Sequence, residues 1–319
     1  MKYIRTSLIA LCIVCCLALC ACSPQQPADP NDIVDIGSDL IMSAQELASF
    51  LANSTESSCE LGANIEMYQQ MLTLSAERGH VTINGNGHAI TGDADCMLRL
   101  DDGASITIND VTLSCGSVCI GGLGSAVIYG NDLVIDSVST GIYLDGDLTI
   151  GDNSNISITS SNSACINAYS ILFSASSHVE CTSLDALHTI NAHKSDITID
   201  QNAAVRCSGM SYSVLYCERT LVMRDGSSLS TVNGGIYHGA EIGKLSVDGV
   251  VTINATGGEQ GVGVFLFELR EHLYVVGTCE PAYRYDLGRG SITFVESAAD
   301  IPTPTPSASL DATPAATPG

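Results

Sequence analysis

Between residues 82 and 275 short segments alternate apolar and polar positions, and three kinds of segment return in a fixed order. The first kind occupies 106–108, 148–150, 171–173, 197–199, 221–223, 245–247 and 273–275. The second occupies 111–113, 133–135, 156–158, 179–181, 205–207, 229–231 and 251–253. The third starts at Cys96, Cys119, Ile142, Cys165, Leu187, Val214, Ile236 and Val264. Period-two alternation is the mark of a strand with one buried face. A return interval of about 23 residues, with three strands per interval and almost no helical pattern, is the mark of a solenoid built of β-coils. The pattern therefore predicts an all-β, right-handed parallel β-helix with three faces and about eight to nine coils, occupying 36–299 as one domain. In the gaps stand turn residues such as Asp102 and Gly103, Asp145 and Gly146, and Asn233 to Gly235, which tolerate the backbone angles that sharp corners need.

One helical signal precedes the repeat. Ser43 and Glu46 have capping-box spacing, and Leu47, Phe50 and Leu51 fall on one helical face. A short amphipathic helix here covers the first coil, whose open edge would otherwise invite pairing with another chain.

Outside the repeat the pattern changes twice. Lys2 and Arg5 precede an apolar run from Leu8 to Ala21, which reads as an export signal over 1–21. The run ends Leu19, Cys20, Ala21, Cys22, which resembles a bacterial lipobox. The resemblance implies cleavage before Cys22, a diacylglycerol on its thiol, and residence on the extracytoplasmic face of a membrane. A tether over 22–35 follows. The segment 300–319 is rich in Pro, Thr and Ala and is expected to be disordered.

Composition adjusts this picture in three places. The chain has no Trp and 5% aromatic residues but 45% hydrophobic ones, as stacked aliphatic rungs require. The formal charge of −23 argues against nucleic acid as a partner and against electrostatic binding to an anionic membrane. Nine cysteines remain beyond Cys22. Cys181 and Cys207 are expected on one rung, and so are Cys96 and Cys119. These act as buried thiols, or one or more pairs form disulfides; the spacings leave both open and match no metal motif.

The stretch 81–92, with Ile83, Asn84, Gly85, Asn86, Gly87 and His88 at its centre, resembles the opening coil of the pectate-lyase-like β-helix superfamily. Segments 141–150 and 195–199 resemble repeats of bacterial carbohydrate-binding β-helix lipoproteins. The resemblance implies the fold and, as an expectation, a sugar ligand. It does not supply catalysis: the Gly-His-Gly and Arg-Ile-Lys motifs of the polygalacturonase-like members are missing. Asp93, Asp95, Asp101, Asp102 and Asp110 cluster near Arg99, yet acidic turns are routine in solenoids. Asp102 and Gly103 read as a turn, His88 as a turn histidine, and Glu180 with Arg206 as a surface pair. No catalytic residue, metal or cofactor is expected, and a polysaccharide lyase or glycoside hydrolase of the β-helix type stands as the further alternative to a binding or adhesive solenoid.

The outer faces separate by composition. Thr107, Thr149, Thr198 and Ser246 point outward on the first face, and Thr112, Ser157, Glu180, Arg206, Ser230 and Thr252 on the second. The third face carries Met97, Ile120, Tyr143, Ile166, His188, Leu215, Tyr237 and Phe265, an apolar-aromatic stripe. Tyr143, Asn167, His188, Tyr237 and Phe265 are its candidate carbohydrate contacts, by ring stacking with a polar rim. A protein partner, a covering segment, or a register one residue off are the competing readings.

Overall fold

The computed structural model describes residues 40–302. The export signal, Cys22, the tether and most of the tail lie outside the described residues. No helix among those described is long and apolar enough to cross a membrane.

The chain forms a parallel β-solenoid of about nine turns. Every strand pairing is parallel and joins one coil to the next. On the first face Ile106 pairs Ile128, Ala126 pairs Leu148, Leu148 pairs Ile171 and Ile171 pairs Ile197. The strand Ala126–Asn131 completes this series, which the sequence pattern skips between 108 and 148. At the far end Lys244 pairs Glu268, so Leu269 follows Leu245, and Leu273 belongs to the next strand. On the second face Ile135 pairs Ile158, Ile158 pairs Cys181, and Cys181 pairs Cys207.

The core is a set of aliphatic ladders. On the third face Ile120, Ile142, Ile166, Ile190 and Leu215 are register partners in turn, and all are fully buried. Burying one such side chain contributes about 1.5–3 kcal/mol. At the corner before this face, Ser137, Ser160 and Ser183 form a buried hydroxyl ladder. Ser137 Oγ donates to the Thr159 carbonyl (3.2 Å) and Ser160 Oγ to the Ser163 carbonyl (2.7 Å), which supplies donors to carbonyls that the bend takes out of the sheet.

The cap forms as the sequence predicts. Helix α1 (Ala44–Asn53) starts at Ser43, whose Oγ accepts from the Glu46 amide. The Glu46 carboxylate accepts from the Met42 amide (2.7 Å), one residue earlier than in a capping box. Leu47, Phe50 and Leu51 are buried. Arg78 locks the helix to the first coil by donating to the Phe50 and Leu51 carbonyls, both at 3.1 Å.

Two cysteine expectations part company. Cys181 and Cys207 share a rung as free buried thiols. Cys96 instead pairs Val118, and Cys119 is disulfide-bonded to Cys115. Both members of that disulfide sit at one corner, where the chain bends back on itself within four residues.

Candidate functional site

The outer surface of the third face is a row of side chains fixed by backbone register. It runs Arg99, Gly121, Tyr143, Asn167, Asn191, Tyr216, Glu241, Phe265 and Arg284, each the partner of the next. Adjacent members stand one coil apart, ~4.8 Å. Tyr143, Asn167 and Phe265 therefore face outward as expected. Met97, Ile120, Ile166 and Leu215 do not: all four are in the core. The reason is local. Before this face two consecutive residues both point inward, as in Cys119 and Ile120, Cys165 and Ile166, and Val214 and Leu215. Alternation fails for one step where the chain turns, so the outward position moves on by one. Leu187 and Ile236, expected inside, are instead exposed at the corner.

The distal coils are built differently. The strands His178–Ala192 and Ala204–Arg224 run through corners without a loop, and the first absorbs its bend as a register shift between Ser183 and Ala186. Aromatic residues from the corner and from the face thus share one surface. His188 stacks on Tyr216 with centroids 4.6 Å apart, Tyr212 lies against Tyr237 at 4.3 Å, and His238 stacks on Phe265 at 4.9 Å. An edge contact from His188 to Tyr212 and a tilted one from Tyr237 to His238 join these pairs into one strip. Arg284 stands 5.9 Å over the Phe265 ring.

The five candidate residues consequently divide. His188, Tyr237 and Phe265 belong to the strip, while Tyr143 and Asn167 are register partners nearer the cap. Asn167 is already engaged, its Oδ1 accepting from Asn191 Nδ2 (3.4 Å) and lying 3.0 Å from His193 Nδ1. The pattern missed Asn191, Tyr212, Tyr216, His238, Glu241 and Arg284. Stepping 24 or 25 residues from Asn167 reaches Asn191, Tyr216, Glu241 and Phe265 in turn, so the signal was present once the right starting residue was chosen.

Burial shifts three titratable groups of the strip. Burial lowers the His188 pKa to about 4, although its Nδ1 lies 2.7 Å from Ser213 Oγ. Burial, then the Arg284 charge, lowers that of His238, whose Nδ1 accepts from the Val262 amide (3.3 Å). Burial raises the Glu241 pKa against an opposing hydrogen bond with Ser213. Two oxygens stand out: Asn191 Oδ1 and Glu241 Oε2 are buried without a hydrogen-bond partner. They belong to the residues on either side of Tyr216 in the row. An unpaired buried acceptor costs about 1–3 kcal/mol.

Beside the strip the corner exposes aliphatic side chains: Leu184, Leu187, Met210, Val232 and Ile236. The acidic turn residues nearer the cap behave as turns. Gly103 has φ +80°, and Asp102 Oδ1 accepts from the Ser125 amide (2.8 Å). His88 lies in the Asn86–Gly87 turn with Nδ1 3.3 Å from Asn64 Oδ1. Among the described residues no three His, Cys, Asp or Glu side chains are arranged to hold a metal ion. Glu180 and Arg206 are cross-coil neighbours but not an ion pair; the ion pairs among the described residues are Arg99–Asp101, Arg224–Asp200 and Arg270–Glu268.

No family model matches the chain, and no curated protein matches it. Among solved structures it is similar to L. reuteri 53608 SRRP, with a TM-score of 0.49 and 14% identity over 80% of this chain and 98% of that one. At that level the likeness carries no information about ligand or activity.

Proposed function

We propose that the protein is a non-catalytic solenoid that binds carbohydrate along the aromatic strip of its third face. The observation that carries this reading is the continuous run of rings around Tyr216, stacked by His188 and joined through Tyr212 to Tyr237. Sugar rings offer C–H faces to aromatic side chains and hydroxyl donors to acceptors at their rim. A glycan array probed with the protein and with Tyr216→Ala tests it. Binding is expected for the parent and lost in the variant; an array silent for both overturns the reading. Lipid attachment at Cys22, which would hold the strip on the extracytoplasmic face of a membrane, is part of the same proposal.

A second reading rests on the aliphatic corner. Leu187, Met210 and Ile236 offer no hydrogen bonds to a sugar, and apolar surface beside aromatic residues is also what a protein interface presents. Leu187→Ser with Met210→Ser separates the two: it weakens an adhesive protein contact and leaves glycan binding unchanged.

Hydrolysis of a glycosidic bond in the ligand would need two carboxyl groups about 5–10 Å apart across that bond. Glu241 has Tyr216 and Phe265 as its neighbours in the row, and Glu218, whose charge reaches Tyr216, is exposed.

A further inference from the structure

The row has a second feature at its capped end. Gly121 stands between Arg99 and Tyr143 in the row, carries no side chain and is buried against Cys96 and Val118. These residues line a notch of about 240 Å³. Its floor is apolar, from Met71, Val118 and Leu123, and its walls are Arg99 and Tyr143. Met71 and Leu123 are exposed at 43% and 72% although nothing polar in them gains by it. A side chain at position 121 would displace the lining of the notch, since its Cβ would lie 2.9 Å from Cys96 Sγ and 3.2 Å from Val118 Cγ1.

The notch combines an apolar floor, one hydrogen-bonding cation and one aromatic wall, and its charges are partly spoken for. Asp101 lies 3.8 Å from Arg99 Nε, while the side chain remains 42% exposed. Tyr143 donates its hydroxyl to Asp145 (3.0 Å), which turns the ring face rather than the hydroxyl toward a ligand. With Asp101 and Asp145 at the rim and −23 charges on the chain, an anionic group gains little here. A bare hydroxyl-covered sugar gains little too, because it cannot replace the water over an apolar floor without losing hydrogen bonds. A neutral group with a methyl at one end and a carbonyl acceptor at the other meets both halves of the notch.

We infer that the notch at Gly121 is a subsite for an N-acylated amino sugar, with the acyl methyl on the Met71–Val118–Leu123 floor, the amide carbonyl accepting from Arg99, and the pyranose against Tyr143. This rests on the carbohydrate reading above and adds to it the class of sugar and a second anchor at the opposite end of the row from Phe265.

The test uses the full-length protein with N-acetylglucosamine and N-acetylgalactosamine against glucosamine, galactose and glucuronate. By saturation-transfer NMR the acetamido methyl is expected to receive the strongest transfer. The acetylated sugars are expected to bind at least about tenfold more tightly than the others, the usual size of discrimination by one apolar group and one hydrogen bond. Arg99→Gln and Gly121→Val each remove that preference, whereas Ser246→Ala on the first face leaves it intact. Should Gly121→Val fail to fold, the unmodified protein decides: N-acetylglucosamine should slow alkylation of the half-buried Cys96, read peptide by peptide, and not that of Cys279. Equal affinity for acetylated and free amines, tightest binding of glucuronate, or unchanged Cys96 alkylation overturns the inference. Longer glycans that bind regardless of Arg99→Gln overturn the notch and spare the strip; no binding of any glycan removes both.

Discussion

Ile166 and Asn167 are neighbours in sequence and lie on opposite sides of the wall, the first fully buried between Ile142 and Ile190, the second facing out. Substitutions along the third face should therefore separate into two kinds. Ile166→Ala removes packed methyl groups and is expected to destabilise the fold by about 2–5 kcal/mol, read by thermal or denaturant unfolding. Phe265→Ala is expected to weaken glycan binding by about 1–3 kcal/mol, by analogy with base stacking on aromatic platforms, and to lower the melting temperature little. Early melting of Phe265→Ala with unaltered binding would contradict its place in the strip. His188 supplies a pH signature. Burial favours its neutral form, so between the ordinary 6.5 and about 4 the unfolded chain binds the extra proton. Stability contributed by His188 is present above pH 6.5 and falls as the pH drops through that window, by at most about 1.4 kcal/mol per unit. His188→Gln should flatten this part of the stability profile; an unchanged slope would mean that His188 is solvated.

At the scale of elements, the end of the solenoid depends on a small set of contacts. Arg78 holds the α1 carbonyls of Phe50 and Leu51 and stands 5.6 Å over the Phe50 ring. Arg78→Ala is expected to cost about 1–3 kcal/mol, the range for hydrogen bonds to a charged group. Hydrogen exchange should rise in Ala44–Asn53 and the first strands while the distal coils stay protected; uniform exchange along the chain would count against a local cap. The same scale explains what could be read from sequence. Residues such as Ile106 and Ile108, or Ile156 and Ile158, alternate with polar ones and are buried as the pattern predicts. The helix was legible because Ser43, Glu46 and the Leu47–Phe50–Leu51 face obey local rules. The third face was legible only in part, because Cys165 and Ile166 both point inward at a bend that alternation cannot encode. The unbroken strand Ala204–Arg224 hid Tyr212 and Tyr216 for a related reason: the pattern expected a loop where the corner is turned within a continuous strand.

At the scale of the molecule, each coil pairs only with its neighbours, so a defect is felt locally and stability is close to a sum over coils. Two expectations belong here. Cys22→Ala should move the protein from the membrane to the soluble fraction, because lipid chains supply the anchoring free energy; retention in membranes would require another anchor. On the non-catalytic reading proposed above, incubation with pectin, alginate or host glycans at any pH from about 5 to 9, with or without Ca²⁺, should release no sugar. Turnover abolished by Glu241→Gln or by chelation would overturn this. The parallel ladder also has a metric consequence. Positions 121 and 265 are spaced by backbone hydrogen bonds and not by side-chain packing, six coil steps or about 29 Å apart. The wall is a ruler graduated in coils. Inserting one whole repeat between Tyr143 and Tyr216 would lengthen the ligand that spans both anchors by one graduation, whereas inserting a single residue in a strand would turn every outward side chain of that strand to the inside.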